Sequence, residues 1–147
     1  MRFNWLSLQR TEYNQATPRH IQVNDTPNLI RRVLVVDDEP PISDTLALIL
    51  SHKGFVPKTA IDGEEAVELA RVFLPDLLIS DVVLPGITGI EAANEILTFL
   101  PTCKVILFSG QATTLDLVKR SRTAQHFEVL PKPLHPDVLL QRIAELG

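Results

Sequence analysis

Six residues of this 147-residue chain end or directly follow short apolar runs: Asp37, Asp38 and Glu39, then Asp81, Ser109 and Lys132. Carboxylates gathered this way repel one another and raise each other's pKa unless a cation joins them. A hard divalent ion with oxygen ligands resolves the repulsion, and magnesium suits because it takes few protein ligands and keeps waters. Lys132 adds a second positive charge and Ser109 a hydroxyl donor. Together they could balance the oxygens of a phosphoryl group while a carboxylate attacks phosphorus. Asp81 stands alone at a strand end opposite Lys132 and Ser109, which makes it the candidate nucleophile. Asp37 and Asp38 are adjacent, so their side chains diverge. Asp38 is read as a direct metal ligand and Asp37 as one acting through water. Glu39 is read as a solvated charge at a helix start. Each piece alone has an ordinary explanation: a solvated turn, a Lys-Pro turn, a serine cap. Their ordered recurrence at strand ends is what points to chemistry.

The elements that must position them are legible as alternating patterns. The runs Val33 to Val36, Leu77 to Ile79, Val105 to Phe108 and Phe127 to Leu130 are continuous rather than alternating, as strands covered on both faces require. A fainter strand runs from Phe55 to Thr59. Between them, Ile42, Leu46, Ile49 and Leu50 line one helical face. Asp62 with Glu65 has capping-box spacing before a stripe of Ala66, Leu69, Ala70 and Phe73. Ile90, Ala93, Ile96, Leu97 and Leu100 form a third stripe, and residues 115–122 a weaker fourth. Pro136 opens a fifth helix carrying Val138, Leu139, Ile143 and Leu146. Five strands alternating with five helices imply an α/β fold with a doubly wound parallel sheet and helices on both faces. Ligands of such sheets bind beyond the carboxyl ends of the strands, where the six residues fall.

Residues 1–28 show neither helical nor strand periodicity and are expected to form a flexible N-terminal extension, with a short helix around residues 5–10. Residues 29–147 are expected to form a single domain, and no output domain is expected after the fifth helix. Hydrophobic residues are 45% of the chain and the net charge is −4, which suits a compact globule and gives no reason to expect direct DNA binding or a membrane surface. Met1 to Arg10 lacks the continuous apolar core of a signal peptide and no stretch reaches ~20 apolar residues, so a cytoplasmic location is expected by default. The single Cys103 lies in an apolar run and is read as a buried structural thiol. The four histidines are too scattered for a zinc site.

The stretches Arg32-Val-Leu-Val-Val-Asp-Asp-Glu-Pro40, Pro75-Asp-Leu-Leu-Ile-Ser-Asp-Val-Val-Leu-Pro-Gly-Ile-Thr-Gly89, Val105-Ile-Leu-Phe-Ser-Gly110 and Leu130-Pro-Lys-Pro133 closely resemble the bacterial response-regulator receiver domain. The resemblance covers about residues 30–147. It implies the flavodoxin-like strand order 2-1-3-4-5, with Asp81 as phosphoacceptor, Asp37 and Asp38 as the acidic pair, Ser109 as the switch hydroxyl and Lys132 as the lysine. It also implies magnesium bound by Asp37, Asp38, Asp81 and the backbone carbonyl of Val83, and a cis Lys132–Pro133 bond. Pro85, Gly86 and Gly89 match the turn after the acceptor, where glycine permits positive φ. The implied phosphodonor is a sensor histidine kinase or a histidine phosphotransfer protein. The implied output is a phosphorylation-dependent interaction with a separate downstream target. Two positions depart from the family pattern. Val129 stands where many receivers carry a switching aromatic, and Gly110 follows Ser109 where alanine is commoner.

The alternatives are a phosphorylation-independent interaction module, a magnesium phosphohydrolase and a nucleotide-binding flavodoxin-like protein. The hydrolase would need an acid/base two residues after Asp81, where Val83 stands, so a turnover enzyme is not expected. The nucleotide binder would need a Gly-rich or hydroxyl-rich loop where Asp37-Asp38-Glu39 stands.

Overall fold

The apolar runs become strands and the stripes between them become helices, in the computed structural model that describes residues 29–110 and 127–147. Strand β1 (Arg32–Val36) leads to helix α1 (Pro40–His52), β2 (Val56–Ala60), α2 (Gly63–Phe73), β3 (Leu77–Asp81), α3 (Gly89–Phe99) and β4 (Lys104–Ser109). After residue 126 come β5 (Glu128–Pro131) and α4 (Pro136–Leu146). The expected N-terminal extension, its short helix and the fourth amphipathic helix at 115–122 lie outside the described residues.

All strand pairs are parallel and the order is β2-β1-β3-β4-β5, as the resemblance implies. Successive side chains of each central strand enter opposite layers. Val33, Val35, Leu77, Ile79, Ile106 and Phe108 pack with Leu46 and Leu50 of α1 and with Leu139 and Ile143 of α4. Leu34, Val36, Leu78 and Leu107 pack with Ala66 and Ala70 of α2 and with Ala93 and Ile96 of α3. This two-sided burial is why the runs are continuous. Each buried Val, Leu or Ile contributes about 1.5–3 kcal/mol. The edge strand β2, covered less, shows the alternation the central strands lack.

Helix ends follow local chemistry. Asp62 caps α2 by accepting from Glu65 N–H at 2.7 Å, while the Glu65 carboxylate accepts from Ile61 N–H rather than from the cap residue. Thr88 and Glu91 form the complete reciprocal capping box at the start of α3. Pro136 occupies the first turn of α4 behind His135, whose Nδ1 accepts from Asp137 N–H.

Two stripe residues depart from the expected core. Ile42 is 36% exposed and Ser43 takes its place inward, with its hydroxyl donating to the Pro40 carbonyl. Val138 is likewise exposed, leaving Leu139 and Ile143 as the inward residues of α4. Cys103 is buried as expected, and burial pushes its thiol up to about 12.

Candidate functional site

The register fixes which strand ends meet. Asp81 ends β3 and pairs with Phe108 of β4, while Ser109 at the end of β4 pairs with Pro131 of β5. Val36, the residue before Asp37, pairs with Ser80, the residue before Asp81. The parallel sheet therefore delivers Asp37, Asp81, Ser109 and Lys132 to one edge.

Asp37 is fully buried. Its backbone N–H donates to the Ala60 carbonyl and its Oδ1 accepts from Glu39 N–H at 2.9 Å. Asp81 is 7% exposed. Its Oδ1 accepts from the backbone N–H of Val83 at 3.2 Å, and its Oδ2 accepts from Lys132 Nζ at 2.7 Å. Lys132 also approaches Asp37 Oδ2, at 3.6 Å. Its backbone N–H is held by the Ser109 carbonyl at 2.9 Å, and the following bond to Pro133 is cis, as the resemblance implies. Ser109 is buried at the end of β4.

The electrostatics follow from this packing. Desolvation raises the pKa of Asp37, helped by the charges of Asp81 and Asp38 and opposed by the Glu39 N–H and Lys132. Burial works to lower the pKa of Lys132, but its hydrogen bond to Asp81 and the charges of Asp81, Asp37 and Glu39 outweigh that and raise it. The ammonium is thus held charged among carboxylates.

Carboxylate oxygens of Asp37, Asp38 and Glu39 all lie within 4.8 Å of one another. Asp37 Oδ2 is buried and has no hydrogen-bond partner among the described residues. A buried carboxylate oxygen without a donor is costly, and a cation beside it removes the cost. The donor set, all hard oxygens, fits a magnesium-sized ion. Glu39, read from the sequence as a solvated helix-start charge, is exposed and stands at the N-cap of α1 without a side-chain capping bond. Its carboxylate nevertheless faces the same group. Val83 is 55% exposed, and the contact described for its backbone is the N–H bond to Asp81.

Sequence reasoning missed one support of the site and gave a second the wrong cause. The Phe108 ring centroid lies 5.1 Å from Lys132 Nζ, a cation–π contact within the buried layer. Its only sequence signal was its place just before Ser109. Gly89 is the second. It is not at positive φ, unlike Gly86 at 77°. A Cβ on Gly89 would stand 2.0 Å from the Asp81 carbonyl oxygen, so glycine is required there for close approach and not for backbone freedom. Gly110, by contrast, has room: a Cβ would meet the Lys132 stem at 3.5 Å, an ordinary contact.

The chain is similar in sequence and fold to known proteins. The family model for the response regulator receiver domain matches residues 33–144. The transcriptional regulatory protein PdtaR of Mycobacterium tuberculosis is 40% identical over 116 residues, covering 77% of this chain and 55% of PdtaR. This chain thus spans little more than half the length of that relative. The chemotaxis protein CheY of Treponema pallidum is 34% identical over 136 residues, covering 90% of this chain and 92% of CheY. Among solved structures, a CheY-like receiver domain protein from Methanospirillum hungatei matches with a TM-score of 0.71 at 28% identity, covering 80% of this chain and 93% of that one. CheY4 of Vibrio cholerae matches with a TM-score of 0.72 at 25% identity, covering 81% and 100%.

Proposed function

Because the chain belongs to the response regulator receiver domain family, a family of signalling modules, we propose that Asp81 is its phosphoacceptor. The observation that carries this reading is the 2.7 Å contact of Asp81 Oδ2 with Lys132 Nζ, beside the buried Asp37 Oδ2 that accepts no hydrogen bond among the described residues. A carboxylate oxygen of Asp81 attacks the phosphorus of a phosphohistidine on a sensor histidine kinase or histidine phosphotransfer protein. The N–P bond breaks and an aspartyl phosphate forms. Lys132, held charged by its neighbours, faces one oxygen of the transferred group, and the Ser109 hydroxyl donates to another. Magnesium would be held by Asp37, Asp38 and Asp81, with the Val83 carbonyl, and supplies charge neutralisation at the phosphoryl oxygens.

The site has no carboxylate at Val83 to act as acid/base, so the reading is a signalling switch rather than a turnover enzyme. Its output is a phosphorylation-dependent interaction with a separate protein, without direct contact to DNA. No helix among the described residues is long and apolar enough to cross a membrane. Val129, at the position where the resemblance leads one to look for an aromatic, is half-buried and packs against the α2–α3 layer. An aromatic rotamer at that position therefore takes no part in the output.

Intact-mass measurement after acetyl phosphate and magnesium treatment tests the assignment. One phosphoryl adduct is expected on the native chain and none on Asp81→Asn. An adduct that survives Asp81→Asn, or no adduct on the native chain, overturns it. The second outcome would favour an interaction module that works without phosphorylation.

A further inference from the structure

Helix α1 has an outer surface unlike that of an ordinary surface helix. Its thirteen residues include only Asp44 and His52 as ionisable side chains. Pro41, Ile42, Thr45 and Leu48 are all exposed, Leu48 by 60%. A surface helix normally turns charged residues outward. On the side toward α4 this surface descends into a cavity of about 340 Å³ lined by Pro41, Ile42, Ile49, Phe108, Pro133 and Leu134. Lys132, which also lines it, is the one charged residue among the described lining. An exposed apolar groove of this size is a binding feature more than a packing defect.

We propose that this groove is covered in cis by the chain's own segment Phe3-Asn4-Trp5-Leu6-Ser7-Leu8. The occupant is chosen on reach, composition and charge. Leu29 begins the described structure and residues 9–28 separate it from the segment, and a flexible chain of about twenty residues has a root-mean-square span of about 25 Å. From the start of β1 to its end beside α1 is five residues, about 17 Å. A tether matched to its span gives the segment an effective concentration in the millimolar range. The segment carries four large apolar side chains in six residues and no charge, as the groove lining demands. Arg2 and Arg10 flank it, and the exposed Asp38 and Glu39 stand immediately before α1. Docking there lays the segment over Phe108 and the Lys132 stem without requiring any phosphorylation, so the inference stands apart from the phosphoacceptor assignment.

Trp5 is the only tryptophan of the chain, so it reports its own position. In the full-length native protein, Trp5 emission is expected to be blue-shifted and shielded from acrylamide, and unchanged by hundredfold dilution. Ile42→Asp, at an exposed position where the fold tolerates charge, is expected to red-shift the emission and raise quenching several-fold while the far-ultraviolet circular dichroism stays unchanged. Thr45→Arg, one turn on, is expected to do the same and serves if the first variant folds poorly. Solvent-like emission in the native chain overturns the proposal. So does shielded emission indifferent to both substitutions, which would mean docking elsewhere. Shielding that disappears on dilution also overturns it, because the groove would then hold the segment of a second copy.

Discussion

Lys132 Nζ lies 2.7 Å from Asp81 Oδ2, and the same ammonium stands 3.6 Å from Asp37 Oδ2, so one cation spans two buried carboxylates from different strands. Removing it leaves both without a compensating charge. Lys132→Ala is expected to destabilise the metal-free protein by about 1–3 kcal/mol in urea unfolding at neutral pH. Magnesium should restore part of the loss. The raised Lys132 pKa means its contribution is fully present below the ordinary lysine pKa and fades only as pH rises through the higher folded value. The deficit of the variant should therefore be constant from neutral to moderately alkaline pH.

Asp37 predicts a dependence of the opposite kind. Its folded pKa is raised, chiefly by desolvation, so the folded state holds the proton more tightly than the unfolded chain does. The cost of its charge is then fully present above the folded pKa and vanishes as pH falls below the ordinary aspartate value. Asp37→Asn should stabilise the metal-free protein at neutral pH. The gain should shrink on acidification toward the aspartate range. Thermal unfolding of both proteins across that pH series measures it, and a gain that grows on acidification would contradict the cause assigned.

Magnesium should raise the melting temperature of the native protein in a saturable way, since a ligand of the folded state stabilises by mass action. Asp38→Asn should weaken that binding at least tenfold, as read by calorimetry. If Glu39 contributes through the shared carboxylate group, Glu39→Gln will weaken it less than Asp38→Asn does.

The three glycines near the acceptor should separate by cause. Gly89→Ala forces a methyl against the Asp81 carbonyl and is expected to cost about 1–3 kcal/mol or more, with slower adduct formation. Gly86→Ala meets both a positive φ and the Glu64 carboxylate and should cost about 1–2 kcal/mol. Gly110→Ala should be neutral within about 0.5 kcal/mol. Chemical denaturation ranks them directly.

Loss of the Thr88 cap gives a local control. Thr88→Ala removes the acceptor of Glu91 N–H and should cost about 1 kcal/mol. Because Gly89, the next residue, packs on Asp81, the substitution should also slow phosphorylation, whereas Asp62→Ala at α2 should cost similar stability with little effect on rate.

Much of this molecule is legible in its sequence because the central strands are covered on both faces. Continuous apolar runs then mark strands, and their polar last residues mark one edge. Helical periodicity gives spacing but not phase. Ile42 sits one position from the inward face because Ser43 can hide its hydroxyl against the Pro40 carbonyl, which no hydropathy pattern records. Gly89 shows a different limit. Turn chemistry suggests positive φ, whereas the requirement comes from a backbone carbonyl brought close only by the fold. Phe108 belongs to the site through proximity in three dimensions, its partner Lys132 lying just after another strand, whereas Glu39 shares the acidic group with its own sequence neighbours.

The strand order has a consequence for what the protein can report. Asp37, Asp81 and Lys132 stand at the ends of three separate strands, and β3 and β4 must both be in place before the lysine just after the edge strand β5 can reach the acids. No contiguous fragment short of nearly the whole sheet contains the meeting. A nascent or partly unravelled chain therefore lacks this meeting of charges, and the pairing of the lysine with the two acids doubles as a certificate that the fold is complete.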